Sequence, residues 1–212
     1  MAANLRQLLI QRSARLQARA ALSAPGWGTL SHGAWRNRVE GLALGLMAED
    51  PPPSTAFSRT GTAWDWALEV AAACTGIPWD GAAPQADAAL FGGARFNDGN
   101  GRQAYHDREE QLNAETPFDA RHTHGAMMLA LQRWNRRLGW DHDTVLRLPL
   151  TALPTKAGRA ALWNLQYAGG HVVLMTVSMD APSAPSRGLG RFFKRMPDAP
   201  EWDPSPFDGF WD

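Results

Sequence analysis

A single cysteine, Cys74, stands among 212 residues. That excludes an internal disulfide framework and any Cys-rich zinc site. Net charge is also lacking, since 21 basic residues balance 21 acidic ones, with six His besides. The balance removes the electrostatic case for a nucleic-acid binder or an anionic-membrane binder. No apolar run approaches the roughly 18 residues that a membrane span needs. Gly41, Gly45, Gly92 and Gly93 form no dinucleotide fingerprint, and there is no G-x-S-x-G nucleophile elbow. Against these absences stand a hydrophobic fraction of 44%, ten Trp and 15 Pro. A chain of this length and composition can bury a core without staples, as one domain with or without a tail.

Residues 1–21 carry Arg6, Arg12, Arg15 and Arg19 and no acid. The segment is too poor in Ser for a transit peptide, and Arg and Gln interrupt the apolar stretch that a secretory signal needs. A cytoplasmic location is the resulting expectation. Leu5, Leu8 or Leu9, Arg12 and Leu16 read as a one-faced docking helix with a solvated basic face.

Pro25-Gly26-Trp27-Gly28 is a turn. Ser31 can cap a helix in which Trp35, Val39, Leu42 and Leu46 form one apolar stripe. Asp50-Pro51-Pro52-Pro53 ends it. Residues 54–58 are a strand candidate, and Thr62 can cap a helix over residues 63–74 that Gly76 stops. Residues 88–91 are another strand candidate. Residues 94–120 lack periodicity and read as a long loop, with at most a short helix at 108–112. Met127, Leu131, Trp134 and Leu138 then repeat at helical spacing up to Gly139. Val145 to Leu148 form a strand closed by Pro149, and Ala161, Leu162 and Leu165 continue a helix that ends at Gly169-Gly170. Val172, Val173, Leu174 and Met175 read as a strand buried on both faces. Strands alternating with helices predict an α/β fold with a largely parallel sheet and flanking helices. Proline then becomes frequent, so residues 1–180 are read as the domain and residues 181–212 as an irregular, Pro-rich and aromatic tail.

In this order of elements three stretches carry a family resemblance. Thr29-Leu30-Ser31 with Trp35, Arg38-Val39, Leu42-Ala43 and Gly45-Leu46 is similar to "TYxEL…RVxxLAxGL". Residues 63–79 resemble the next helix and its short Pro-containing strand. His124-Gly125, Leu148-Pro149-Leu150 and Gly169-Gly170-His171-Val172-Val173-Leu174 resemble "TH", "LPL" and "GGxVVL". The family is that of the adenylate-forming enzymes: acyl-CoA synthetases, aryl-CoA ligases and peptide-synthetase adenylation domains. The resemblance spans residues 5 to 178 and implies the fold of their N-terminal part.

Where the family holds ATP phosphates with "TSGTTGxPKG", this chain departs. Such a loop works because glycines let backbone N–H groups converge on phosphate, with a Lys adding charge. Laid on the motif's Pro, Pro117 puts Phe118 where Lys belongs and Asp119 where Gly belongs. No glycine lies between Gly101 and Gly125, and Glu115 and Asp119 would repel a triphosphate. Thr151-Ala152 follow "LPL" where the family has an aromatic or His beside its acyl pocket. The adenine segment, the ribose acid and the small domain with the catalytic Lys would lie beyond Asp180, where the tail cannot supply them. The resemblance therefore implies a truncated, degenerate relative with no catalytic residue, no cofactor and no specific ATP binding.

Other constellations are weaker. His122-x-His124, with His106, Asp107 and His142, lacks zinc-ligand spacing, so no metal is expected. Cys74 sits in an Ala-rich helix as a small hydrophobe. Trp134 and Trp140 near Arg133, Arg136 and Arg137 offer either a stacking surface for a ligand or a helix end complementing the macrodipole. In the tail, Trp202, Phe207, Phe210 and Trp211 alternate with acids that include Asp208 and Asp212. Prolines keep such a segment extended, and large aromatics give it anchors. These six residues are the candidate site, as a partner-docking motif or as an arm that wraps its own domain. The functional expectation is a non-catalytic binding or scaffold protein, with a protein partner or a second copy, room for a small acyl ligand, no nucleic acid and no membrane span. The alternative is an AMP-forming acyl- or aryl-activating ligase part completed by another chain.

Overall fold

Asn4 opens the first helix by accepting a hydrogen bond from the Gln7 N–H at 2.9 Å. A computed structural model describes residues 2–80, 99–176 and 205–211. In α1 (Leu5–Leu16), Leu5, Leu8, Leu9 and Leu16 are buried. Its basic residues are not uniformly solvated. Arg6 is buried, lies 3.8 Å over the Tyr105 ring, and donates to the Tyr105 carbonyl and the Glu109 carboxylate at 2.8 Å each.

Strands β1 (Ala20–Ala24) and β2 (Gly28–Ser31) form an antiparallel hairpin. Its turn holds Gly26 and Gly28 at φ 75° and 66°, a region closed to most side chains. The Ser31 hydroxyl then caps α2 (His32–Ala48), whose stripe of Trp35, Val39, Leu42 and Leu46 is buried. Thr62 caps α3 (Ala63–Thr75), and Gly76 ends it in the left-handed conformation. This helix is buried almost all round, so even Asp65 and Glu69 are inside.

The stretch read as a long loop contains α4 (Gly99–Gln111). Its sequence has no apolar period because few of its side chains face the core; Tyr105 is the large one that does. Gly101 lets α4 approach α2, since a Cβ there would collide with the Leu44 carbonyl. The strand expected at residues 54–58 reduces to a bridge between Ala56 and Trp79, which bridges Asp119 in turn. Residues 88–91 and the expected boundary at Asp180 lie outside the described residues.

Thr123 caps α5 (His124–Leu138), and Thr155 caps α6 (Lys156–Ala168); Gly139 and Gly169 close them in the left-handed conformation. With β3 (Val145–Pro149) and β4 (His171–Met175), the sheet order is β2-β1-β4-β3. The β1–β4 and β3–β4 pairs are parallel. The fold is therefore α/β with a largely parallel sheet, as expected. β4 is not buried on both faces. Val172 and Leu174 point into the core, while Val173 is half-buried and Met175 is 39% exposed. Val173 sits beside Arg147 of β3 on that outer face.

Candidate functional site

The α4–α5 connection folds as a closed loop. The Asn113 side chain accepts from the Glu115 N–H at 2.8 Å, and the Asn113 N–H donates to the Thr116 hydroxyl at 2.9 Å. Pro117 bridges Thr123, and the Phe118 N–H donates to the His122 carbonyl at 2.7 Å. The tip between them curls around one carboxylate. Asp119 accepts from the backbone N–H groups of Arg121 and His122 at 2.8 and 2.7 Å. The His122 ring lies against the same carboxylate, with Nδ1 2.9 and 3.0 Å from its two oxygens. Successive backbone N–H groups of this kind make an anion nest. Here the nest is filled by the chain's own acid, which is only 7% exposed.

Phe118, adjacent to it, points inward and is buried against Trp163 with centroids 5.6 Å apart. Residues 205–211 lie on this loop. Phe207 is buried beside Trp134, with centroids 5.3 Å apart. Phe210 stacks on the His122 ring at 3.8 Å and 13°. Gly209 at φ 84° turns the segment over His122, where an added Cβ would reach within 3.5 Å of the ring. The Trp211 N–H donates to Asp119 at 3.3 Å. Asp208 projects outward and pairs with Lys156 at 3.0 Å. Four of the six tail residues singled out in the sequence, Phe207, Asp208, Phe210 and Trp211, therefore meet one surface. Trp202 and Asp212 lie outside the described residues.

Beneath the segment is a polar centre that the sequence reading did not single out. Glu69 Oε1 accepts the indole N–H groups of Trp163 and Trp211, each at 2.9 Å. Its other oxygen lies 3.5 Å from the Arg159 guanidinium, which sits 4.8 Å over the Trp79 ring. Both charged side chains are buried. The signal in the sequence was an acid between Leu68 and Val70 in the apolar part of α3, a placement that requires a partner.

The histidines weighed for metal occupy separate surroundings. His122 serves Asp119, and His106 lies on α4, 4.0 Å from Glu109. His142 lies 3.5 Å from Asp143. His124 is fully buried, and desolvation pushes its pKa down to about 4. Among the described residues no cluster of three His, Cys, Asp or Glu side chains has the arrangement of a metal site. Cys74 is fully buried, and desolvation pushes its thiol up to about 12, which removes thiolate character at neutral pH.

No protein-family model and no curated protein matches the chain. Solved structures do. The N-terminal domain of FACL13 from Mycobacterium tuberculosis superposes with a TM-score of 0.55 at 14% identity, covering 84% of this chain and 58% of that one. A Mycobacterium tuberculosis fatty acyl CoA synthetase gives 0.57 at 13% identity, covering 82% and 45%. The N-terminal subdomain of NpsA from Klebsiella oxytoca gives 0.56 at 11% identity, covering 85% and 55%. The chain thus has the fold of N-terminal domains of adenylate-forming enzymes and spans about half the length of these neighbours.

Proposed function

We propose that the chain is a non-catalytic binding or scaffold module on the N-terminal fold of adenylate-forming enzymes. One observation carries this reading. The loop that would cradle phosphate instead directs its N–H groups at Asp119, and Phe118 fills the position expected of a Lys. A triphosphate would have to displace a buried carboxylate and then sit against its charge. In this reading Phe207, Phe210 and Trp211 anchor a self-docking arm, which Asp208 ties to Lys156 at its rim, and Trp202 and Asp212 belong to the same arm by sequence. The module's partner is a cytoplasmic protein or a second copy of the chain. Calorimetry with ATP and Mg²⁺ tests the reading, and no saturable heat is expected up to millimolar nucleotide. Millimolar affinity corresponds to about 4 kcal/mol, so even a weak phosphate loop would register.

The second reading, part of an AMP-forming acyl- or aryl-activating ligase completed by another chain, draws on the fold likeness to a fatty acyl CoA synthetase. Pyrophosphate release from ATP with a carboxylic-acid panel would favour it and overturn the first.

A further inference from the structure

The C-terminal ends of α1, α5 and α6, with residues 140–142, line an open cavity of about 290 Å³. Arg12 and Arg15, three residues apart on α1, share the helix face that lines it. The Arg12 stem reaches the cavity across the end of α6. A Cβ at Gly169 would come within 3.4 Å of its Cδ and 2.5 Å of a Leu16 methyl. Only glycine allows that approach. Tyr167 and Trp140 form aromatic walls, with the Arg12 guanidinium 5.7 Å from the Tyr167 ring centre.

What distinguishes these two guanidiniums is that both line one cavity without a carboxylate partner. Arg6, Arg19, Arg36 and Arg159 each pair with a carboxylate. Among the described residues neither Arg12 nor Arg15 has one, and the buried Arg12 Nε has no hydrogen-bond partner. The acid on the cavity rim is already engaged, because Asp141 accepts from the Asp143 N–H at 3.0 Å and the Thr144 hydroxyl at 3.1 Å. Asn135 is engaged too, through Trp140 and Asn164. Burial lowers the Arg12 pKa from its usual value; Tyr167 offsets part of that, and the neighbouring Arg15 adds to it. The end of α6 offers some compensation through its carbonyl dipoles. That accounts for positive charge near the helix end, but not for an open cavity or an orphaned buried N–H.

Two guanidiniums without a carboxylate partner suit an oxyanion, and flat aromatic walls suit a ring. The volume lies at the small end of organic-ligand sites. We propose that this cavity binds a small aromatic oxyanion, a carboxylate or a phosphate ester, held by Arg12 and Arg15 between Tyr167 and Trp140. The site is independent of the loop at residues 113–123, and nothing in it requires the proposed function.

Isothermal titration of the full chain with phenyl phosphate and benzoate tests it, with benzyl alcohol and inorganic phosphate alongside. At least one aromatic anion is expected to bind saturably at millimolar Kd or tighter, and the stronger of the two identifies the headgroup. Benzyl alcohol, which lacks the charge, is expected to give no saturable heat. Arg15→Gln changes an exposed side chain and should leave the circular dichroism unchanged while raising Kd at least tenfold. Arg12→Gln should do the same where it folds. Failure of both aromatic anions to bind, or binding that survives Arg15→Gln unchanged, would overturn the proposal. Inorganic phosphate binding as tightly as phenyl phosphate would overturn its aromatic part.

Discussion

Trp211 and Glu69 stand 142 positions apart, yet the indole N–H of the first donates to the second at 2.9 Å. The bond ties the 205–211 segment to the buried helix α3. The same segment fills a space between α5 and the α4–α5 loop with Phe207 and Phe210, which are 0% and 4% exposed. Truncating a fully buried Phe costs about 3–5 kcal/mol. At roughly 2–4 °C per kcal/mol for a domain of this size, Phe207→Ala should lower Tm by about 10 °C. Trp211→Phe keeps a ring but loses the indole N–H, and should cost about 1 kcal/mol. Thermal unfolding of the isolated protein measures both. An unchanged Tm for Phe207→Ala would return the segment to the role of a motif that docks elsewhere.

Glu69 has three claims on its carboxylate, and they are not equal. Glu69→Gln retains an oxygen for the indoles of Trp163 and Trp211 but leaves the Arg159 guanidinium without its ion-pair partner. An uncompensated buried cation costs about 3–5 kcal/mol. Urea unfolding should therefore show a large loss for Glu69→Gln. Glu69→Gln combined with Arg159→Met should recover part of it, because the orphaned charge is gone. A double variant less stable than the single one would mean that Arg159 contributes mainly through its contact with Trp79 and its hydrogen bond to the Leu153 carbonyl.

Legibility in the sequence followed the apolar period. α2 and α5 announced themselves by a one-sided stripe, and α5 and α6 by the glycines that end them, Gly139 and Gly169. α4 did not, because Gly99–Gln111 buries few side chains and its polar sequence carries no stripe. β1 was invisible for a similar reason: Ala20–Ala24 is made of small residues around one Leu. The departure from a phosphate loop was visible at Phe118 and Asp119, but the direction of the Asp119 carboxylate was not. Glu69 gave only a local anomaly, since its partners come from α6 and from the 205–211 segment and meet it only in the folded chain.

Acid should weaken the fold by an amount that His124 largely sets. The ring is fully buried; Nδ1 accepts from the Leu5 N–H at 3.5 Å, and Nε2 has no partner. Its pKa falls to about 4 in the folded protein, from about 6.5 in the unfolded chain. The unfolded state therefore binds the proton first as pH drops. The cost of folding with a neutral ring is absent above about pH 6.5, grows as pH falls, and levels off below about 4, reaching about 3 kcal/mol. Burial lowers His32 and His171 as well, with the same sign. His124→Asn keeps an acceptor near Nδ1 and does not titrate in this range. Its loss of stability between pH 7 and 4.5, measured by urea unfolding, should be smaller than that of the parent. Equal losses would mean that the ring is not buried neutral.

The last prediction separates the two roles of the Asp119 loop. As a structural acid, Asp119 satisfies the N–H groups of Arg121, His122 and Trp211 and lies against the His122 ring. Asp119→Ala leaves those part-buried donors without their carboxylate, which should cost about 1–2 kcal/mol. Asp119→Asn keeps a carbonyl oxygen for the two tightest N–H bonds and should cost less. The same two variants remove the charge that opposes phosphate. If Asp119 alone prevented nucleotide binding, Asp119→Asn would acquire a saturable ATP heat. No such gain is expected, because Phe118 still fills the neighbouring position and Phe210 still covers His122. Calorimetry on Asp119→Asn, and on Asp119→Asn combined with Phe210→Ala, resolves the matter. ATP binding that appears only in the double variant would identify the 205–211 segment as a cover over a latent anion site. Binding in neither would mean that the loop backbone itself has lost the phosphate-cradling shape.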